Sequence, residues 1–391
     1  MGIDRFRGFL LDRGMVYFYA VYIAGYFLLP MATGHRKVYY ALIIPSVLVL
    51  WRELAAFYRG NLLALLLLLY TVYMMSTLWW TLDFTPAGAA EQLGYSFSVL
   101  TFCFISGFLW QQYPHQMDKL AHRATWLAAG AAVVSIVAWY LEHPFPGSRL
   151  EPLGVMHHQN KASCAYGIFL VLCIHYIFSG RGRDNKAAYI IIGAAILSLV
   201  LLTQSRTALA ALAVALLVLV GYRALGVLLL GAAASWALLA INPRLWQERV
   251  VDFSFRPGIW RQVIEDMPGY WWFGKGYLAD PHVAAYERVF NHAHNGYLAT
   301  LRDGGVIGLM LLMAMLAVAL LWGWRLYRQR GERIYLALLL YGMTCITMDY
   351  DRLLVHPKEL WLYFWLPVAL IMAVYPLHPA NDTLRYPGHK Q

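Results

Sequence analysis

The residues best suited to chemistry lie in one polar stretch, just before a hydrophobic run late in the chain. His294 is at its centre, with His292 before it and Asn295 after it. A histidine changes its charge near neutral pH, so a neutral imidazole can accept a proton from a reacting hydroxyl. The alternative is that His294 only caps a helix or binds a backbone carbonyl. Its polar neighbour and the arginines upstream favour a functional role, whereas His292 can point elsewhere.

Three arginines are candidates for binding an anion such as a phosphate group. Arg206 stands where a short turn enters a long apolar run, at a predicted helix N-terminus, where free N–H groups already attract anions. A guanidinium there can grip a phosphate through two hydrogen bonds, or else extend to lipid headgroups. Arg256 and Arg261 flank a Pro-Gly segment. Either could reach an anionic substrate, or be a solvated loop charge.

Two further polar clusters carry weaker signals. His157 and His158 precede Asn160, but adjacent histidines rarely ligate one ion, and no cysteine or paired carboxylate accompanies them. We therefore interpret His157 and Asn160 as part of a wall that faces the substrate. Asp349 and Asp351 form a D-x-D pattern, which some sugar transferases use to hold a divalent ion. Because three-residue patterns are common by chance, we predict no metal site here.

The composition indicates a membrane protein that must hold these residues on apolar helices. The chain is 60% hydrophobic and 13% charged, against about 25% charged residues in a soluble domain. Runs such as 61–80 and 206–222 are long enough to cross a hydrocarbon core, which needs about 20 residues. The net charge of +10 could suggest nucleic acid as a partner. Most of the basic residues lie in short loops between apolar runs, so membrane topology is the better explanation.

We predict an all-α polytopic membrane protein, a single domain over residues 1–391, with about twelve transmembrane helices. The second and seventh spans are short and can be tilted or broken. A long loop over residues 242–304, between the ninth and tenth spans, would contain short helices near 257–267 and 281–290 and cap the site. The predicted spans are 14–31, 38–51, 61–80, 94–112, 122–141, 161–179, 187–202, 206–222, 224–241, 305–324, 333–350 and 359–376.

The distribution of lysine and arginine predicts the orientation. Cytoplasmic loops collect these residues, and they concentrate in alternate short loops, beginning with the N-terminal segment. Both termini are therefore expected in the cytoplasm, and the 242–304 loop on the opposite side. Trp271 and Trp272 lie in this loop, and we expect them to rest on the membrane surface, where amphipathic rings prefer to lie.

The motifs together resemble the O-antigen ligase and polymerase superfamily of bacterial envelope glycosyltransferases. The resemblance covers residues 204–309; beyond them only the layout of the spans agrees. The last of the motifs is fairly specific, whereas the arginine motifs alone are weak. They are Gln204-Ser205-Arg206-Thr207-Ala208, Arg256-x-x-x-Trp260, Pro268 with Gly274-x-Gly276-Tyr277, and His294-Asn295-x-Tyr297-Leu298-x-x-Leu301-x-x-x-Gly305-x-x-Gly308-Leu309.

Within this superfamily the chain looks most similar to the O-antigen ligases of the Gram-negative inner membrane. The resemblance implies transfer of an O-antigen glycan from undecaprenyl diphosphate to the lipid A–core oligosaccharide at the periplasmic face, with membrane lipids as surroundings and no nucleic acid as partner. It implies no cofactor and no metal, because arginines can take the role of the ion. The polymerases and protein O-glycosyltransferases of the same superfamily share the motifs and remain alternatives.

The resemblance also implies roles for individual residues. His294 would be the general base, and Arg206 and Arg256 would stabilise the leaving diphosphate. The expected substrate-binding residues are Arg261, Asn295, Tyr297, Asn160 and His157. A twelve-span lipid transporter is the competing class. It would need charged residues deep within several spans, whereas here they concentrate at one surface.

Overall fold

The computed structural model describes residues 2–145, 148–179, 185–226 and 255–375. Almost all regular structure is helical, with one short antiparallel hairpin of β1 (Val283–Ala285) and β2 (Arg288–Phe290). In chain order the helices are α1 (Ile3–Phe9), α2 (Met15–Leu28), α3 (Ala32–Val38), α4 (Ile44–Val49), α5 (Trp51–Phe57), α6 (Leu62–Ser76), α7 (Pro86–Gln112), α8 (Pro114–Glu142), α9 (Gln159–Phe178), α10 (Lys186–Leu202), α11 (Arg206–Val220), α12 (Arg256–Glu265), α13 (Gly296–Arg330), α14 (Arg333–Met348) and α15 (Leu366–Val374). Single π-helical turns cover Leu10–Gly14, Tyr39–Ile43 and Trp361–Trp365.

Several of these helices can cross a membrane. Five in the described part of the chain are long and apolar enough: α6 with its following turn, α7, α8, α9 and α13. A sixth candidate runs from Ala32 to Phe57 but bends by 70° at Leu50, so the predicted second span is broken. Four further apolar helices are shorter: α10, α11, α14 and the segment Trp361–Val374, which ends in α15. The structure thus agrees with a helical membrane protein, whereas the number of twelve spans is not confirmed. The predicted span 224–241 lies almost wholly within 227–254, outside the described residues.

The segment from Trp361 to Val374 is buried among the packed helices. Trp361 and Trp365 are fully buried, and α15 is buried along most of its length. The indole of Trp365 donates to the carbonyl of Leu353 at 2.9 Å, and that of Trp361 donates to Val355 at 3.2 Å. Buried indole N–H groups need such partners. These two bonds tie the loop between α14 and α15 to the core, and this loop carries part of the candidate site.

Helix α13 is broken at Gly305, where φ is 63° and ψ is −167°. A Cβ at this position would lie 2.3 Å from the carbonyl oxygen of Trp272, so only glycine fits. The break frees backbone groups of the helix, and the irregular segment 271–276 satisfies four of them, as buried polar groups require. The four hydrogen bonds run from Lys275 to Arg302 (2.8 Å), from Gly276 to Asp303 (3.0 Å), from Val306 to Trp271 (2.7 Å) and from Ile307 to Trp272 (3.4 Å).

Two expectations for the long loop were wrong and one was right. The predicted helix near 257–267 exists as α12. The predicted helix near 281–290 is instead the β-hairpin, because Tyr286 and Glu287 both adopt positive φ, as a two-residue hairpin turn requires. The span predicted from residue 305 is the second part of a helix that begins at Gly296.

Candidate active site

His294 lies in the turn between β2 and α13, in the left-handed region with φ of 51°. A non-glycine residue there is strained, and such strain is found where the surrounding fold fixes a functional geometry. Its Nδ1 atom is 3.0 Å from Oδ1 of Asp349, the residue that follows α14. The His294 side chain is 29% exposed and that of Asp349 is 6% exposed. The imidazole is therefore held from the protein side while remaining within reach of a ligand.

The charge of Asp349 determines which nitrogen of His294 carries the proton. Burial would raise the pKa of Asp349, but the hydrogen bond and charge of His294, the charge of Arg256 and a polar contact from Asn160 lower it to about 2. The carboxylate is thus ionised at neutral pH and can only accept hydrogen bonds. Nδ1 of His294 must then donate, which leaves the lone pair of a neutral imidazole on Nε2.

The ring of His292 lies against that of His294, with centroids 4.0 Å apart and planes tilted by 42°. Its Nδ1 accepts the backbone N–H of His294 at 3.1 Å, which helps to hold the strained turn. Burial, followed by the charge of His294, lowers the pKa of His292 to about 4. His292 is therefore neutral at pH 7, so it does not repel a proton that His294 accepts.

A small hydrophobic cluster fixes Arg256 relative to His294. It is formed by Ile259 and Val263 of α12, Val283 of β1 and Ala293, the residue before His294. Arg256 is the first residue of α12. Its Nε is buried and has no hydrogen-bond partner among the described residues, and its charge helps to lower the pKa of Asp349. A buried guanidinium nitrogen without a partner is costly unless an anion fills the place.

Arg149 links Asn160 to the turn that precedes Arg206. The guanidinium of Arg149 donates to the carboxamide oxygen of Asn160, and its Nε donates to the carbonyl of Thr203 at 2.6 Å. Thr203 is the C-cap of α10, and three residues later Arg206 begins α11 after the N-cap Ser205. Arg206 is exposed at that helix N-terminus, as the sequence predicted. The four residues His294, Asp349, Arg256 and Asn160 are called the candidate site below.

Four other predicted residues occupy different surroundings. Arg261 is 80% exposed and pairs with Glu265 one turn along α12. The side chain of Asn295 caps α13 by accepting N–H groups of the first turn, at 2.9 and 3.1 Å. Tyr297 packs against the core, with its hydroxyl 3.4 Å from a carbonyl of α14, and His157 is exposed. Their roles in substrate binding stay predictions.

The sequence did not point to a second group of charges, here called the buried ion network. The carboxylate of Asp303 forms ion pairs with Nε of Arg302 at 2.7 Å and with Nε of Arg352 at 2.9 Å. Arg302 also pairs with Asp351 at 3.1 Å. Arg302 and Asp303 are 5% and 1% exposed. The network joins α13, just before its break, to the loop that carries Asp349. The sequence signal that could have indicated this network is the D-x-D pattern of Asp349 and Asp351. The two carboxylates nevertheless bind different partners, His294 and Arg302.

Two lysines add positive charge beside the candidate site. The ammonium groups of Lys161 and Lys358 lie 5.6 and 4.9 Å from the ring centroid of Tyr350, the neighbour of Asp349. Burial and the charge of Lys161 lower the pKa of Lys358 to about 8, against the opposing effects of Glu359 and Asp351.

In the described part of the chain, no group of three or more His, Cys, Asp or Glu residues is arranged to hold a metal ion.

Comparison with known proteins shows what this chain is similar to. The sequence model of a family described as O-antigen ligase matches residues 190–313. An O-antigen ligase of Pseudomonas aeruginosa is 29% identical over 351 residues, which cover 87% of this chain and 85% of that protein. The resemblance to the O-antigen ligases is confirmed.

The stretch matched by the O-antigen ligase family runs from α10 into α13. It contains Arg206, Arg256 and His294, whereas Asn160 in α9 and Asp349 after α14 lie on either side of it in the sequence. The resemblance to O-antigen ligases implies a glycosyltransferase-like enzyme of a bacterial membrane, with a lipid-linked glycan and lipid A–core as its general class of partners.

Proposed function

We propose that this chain is an O-antigen ligase that transfers the glycan of an undecaprenyl-diphosphate donor to a sugar of the lipid A–core oligosaccharide. The observation that carries the proposal is the pair of His294 and Asp349, with the charge of Arg256 and its buried, unpartnered Nε close by, in a chain that resembles O-antigen ligases. The pair can accept a proton, and the arginine can bind a phosphate. These are the two tasks that transfer from a lipid diphosphate requires.

His294 acts as the general base on the acceptor. Its Nε2 takes the proton of a sugar hydroxyl while the hydroxyl oxygen attacks the anomeric carbon of the donor. The bond from that carbon to the phosphate oxygen breaks, and undecaprenyl diphosphate leaves with the electron pair. Asp349 stabilises the imidazolium that forms, as the acidic partner does in other histidine pairs. Direct attack inverts the anomeric centre, and general base catalysis contributes typically 10²–10⁴-fold.

The arginines stabilise the leaving group in this scheme. Negative charge grows on the diphosphate as the sugar–phosphate bond breaks, and fixed guanidinium groups that meet this charge lower the barrier. Arg256 and Arg206 have this role, while Lys161 and Lys358 add positive potential around Tyr350. Because arginines supply the charge, the proposed reaction is independent of a metal ion.

Both substrates are amphiphiles, so the candidate site would open sideways to the membrane. In the orientation predicted from lysine and arginine, it faces the periplasm and both termini are cytoplasmic. The exposed rings of Trp272 and Phe273, in the segment that pairs with α13, suit the boundary between lipid and water.

Deletion of the gene, followed by gel electrophoresis of lipopolysaccharide, tests the proposal. Loss of a ligase leaves bare lipid A–core while lipid-linked O-antigen accumulates. Loss of a polymerase instead leaves core that carries one repeat unit, and unchanged lipopolysaccharide would refute both activities. Purified protein should also transfer glycan in the presence of EDTA; activity that EDTA abolishes and magnesium restores would overturn the metal-independent mechanism.

A further inference from the structure

A separate cavity lies far along the helices from His294, between the starts of α2 and α8. It has a volume of about 350 Å³, and its polar lining includes Arg13, His115, Lys119 and Arg123. These four residues are called the basic pocket. Neither the proposed transfer reaction nor the resemblance to O-antigen ligases uses it.

The basic pocket is built by helix geometry. His115, Lys119 and Arg123 follow one another at intervals of four residues on α8, so they form one stripe on a single face. Arg13 faces this stripe from the π-helical turn that leads into α2, and α2 packs along α8. Like charges four residues apart destabilise a helix, so the stripe has an electrostatic cost that a bound anion would remove.

Nearby carboxylates do not neutralise the basic pocket. Asp118 neighbours Lys119 in sequence but points to another face of α8, where it lies 3.4 Å from His122. Asp12 is next to Arg13 but does not line the cavity, and Glu53 is paired with Arg7. None of the four side chains of the basic pocket forms an ion pair or a hydrogen bond with another residue that the structure describes.

The rest of the lining indicates what kind of anion fits. Val16, Ala20 and Leu120 form an apolar floor, and Tyr17 and Gln116 add polar groups at the rim. A free phosphate ion would gain nothing from an apolar floor, whereas a phospholipid places glycerol and acyl carbons directly beneath its phosphate. In the predicted orientation, this end of α2 and α8 faces the cytoplasm, and basic residues at membrane surfaces attract anionic lipids.

We propose that the basic pocket is a binding site for the phosphate group of an anionic phospholipid in the cytoplasmic leaflet. Lys119 and Arg123 hold the phosphate with Arg13 opposite them, and the apolar floor receives the first carbons of the lipid. This inference stands whether or not the chain is a ligase, because the basic pocket contains no residue of the candidate site.

Native mass spectrometry of the purified full-length protein tests the inference, with phosphatidylglycerol and phosphatidylcholine as the probes. Wild type should retain one phosphatidylglycerol molecule at least tenfold more tightly than phosphatidylcholine, and higher ionic strength should weaken this preference. The variant Lys119→Gln/Arg123→Gln should lose the preference, whereas Lys119→Arg/Arg123→Lys should keep it. Both positions are exposed on α8, so melting temperatures should match that of wild type.

The matched control is Arg36→Gln/Lys37→Gln, which removes two neighbouring cations from α3, outside the basic pocket. It should leave the preference for phosphatidylglycerol unchanged. Equal retention of the two lipids by wild type, or a preference that survives Lys119→Gln/Arg123→Gln, would overturn the proposal. A further arm adds millimolar inorganic phosphate. If inorganic phosphate occupies the pocket and excludes phosphatidylglycerol, the site takes free phosphate and the lipid assignment is wrong.

Discussion

Asp349 and Asp351 are two residues apart on one loop, yet their surroundings differ in kind. Asp349 accepts a hydrogen bond from the imidazole of His294, which is itself partly exposed. Asp351 binds Arg302, whose guanidinium also binds Asp303. In the buried ion network each carboxylate is matched by a guanidinium, so charge and hydrogen bonds are satisfied within the protein. The pair of His294 and Asp349 leaves one nitrogen, Nε2, available for a substrate.

The buried ion network is therefore expected to stabilise the fold, whereas the pair of His294 and Asp349 is expected to take part in the reaction. Breaking a buried, fully paired network leaves uncompensated charge and should unfold the protein. Removing a partly exposed base should leave the fold intact and stop the reaction. The two regions share a loop, so variants only two positions apart should fail in different ways.

The largest expected effect comes from His294→Ala. Transfer should fall by about 10²–10⁴-fold, the usual contribution of a general base, while the affinity for the lipid-linked donor stays near that of wild type. His292→Ala is the matched control and should keep a substantial share of the activity, since that ring is neutral and supports the turn. Both are measured as turnover and donor binding of folded, purified protein. An active His294→Ala enzyme, or a defect only in donor binding, would remove His294 from this role.

Asp303→Asn should damage stability more than chemistry. It would leave Arg302 and Arg352 without their shared carboxylate, at a cost of about 3–5 kcal/mol for a broken buried ion pair. The melting temperature in detergent should fall strongly, or little folded protein should be recovered. Glu265→Gln, which breaks the exposed pair with Arg261, is the control and should not change the melting temperature. An Asp303→Asn protein with wild-type stability would contradict the structural role of the network.

Asp349→Asn should reduce turnover by up to about 10⁴-fold, the loss that follows when the acidic partner of a catalytic histidine becomes an amide. The amide would no longer stabilise the imidazolium and could present an N–H to Nδ1, which favours the wrong tautomer. Asp351→Asn is the comparison two residues away, and it should lower the melting temperature more than the turnover. If the two variants show the same pattern of defects, the division between the regions is wrong.

The smallest expected effect concerns pH and His292. Its pKa is lowered to about 4 in the folded protein, against about 6.5 in an unfolded chain. Between these values the unfolded state binds more protons, so stability is fully present above pH 6.5 and falls as the pH drops toward 4. The melting temperature of wild type should therefore decrease more from pH 7 to pH 5 than that of His292→Ala. Equal decreases would show that His292 does not titrate in this way.

The apolar runs predicted most helices well, because their ends coincide with charged or turn residues. The predicted spans 187–202 and 333–350 match α10 and α14 within two residues. The first part of α13 was missed because Arg302, Asp303 and the two glycines that follow interrupt the apolar run and resemble a loop. Asn295 was available as an N-cap signal. The sequence showed no hairpin between 283 and 290, because its turn residues, Tyr286 and Glu287, are not those that usually adopt positive φ.

The candidate site was only partly predictable for a different reason. His294 and Arg256 could be found because each belongs to a local motif. Asp349 lies 55 residues from His294 in sequence, and only the packing of α13 against α14 brings the two together. The pairing of Asp351 with Arg302 likewise depends on where the chain breaks at Gly305. Local patterns contain no information about such distant partners.

The break at Gly305 also limits how this loop can change in length during evolution. Four hydrogen bonds fix the alignment of 271–276 with 302–307, so one inserted residue in 271–276 would shift every pairing and misplace the chain that leads to His294. The hairpin turn at Tyr286 and Glu287 bears no such constraint, since both side chains are exposed and the strands end there. Extra residues should therefore accumulate at this turn among homologues, where a longer excursion could meet a different acceptor sugar while the catalytic geometry stays the same.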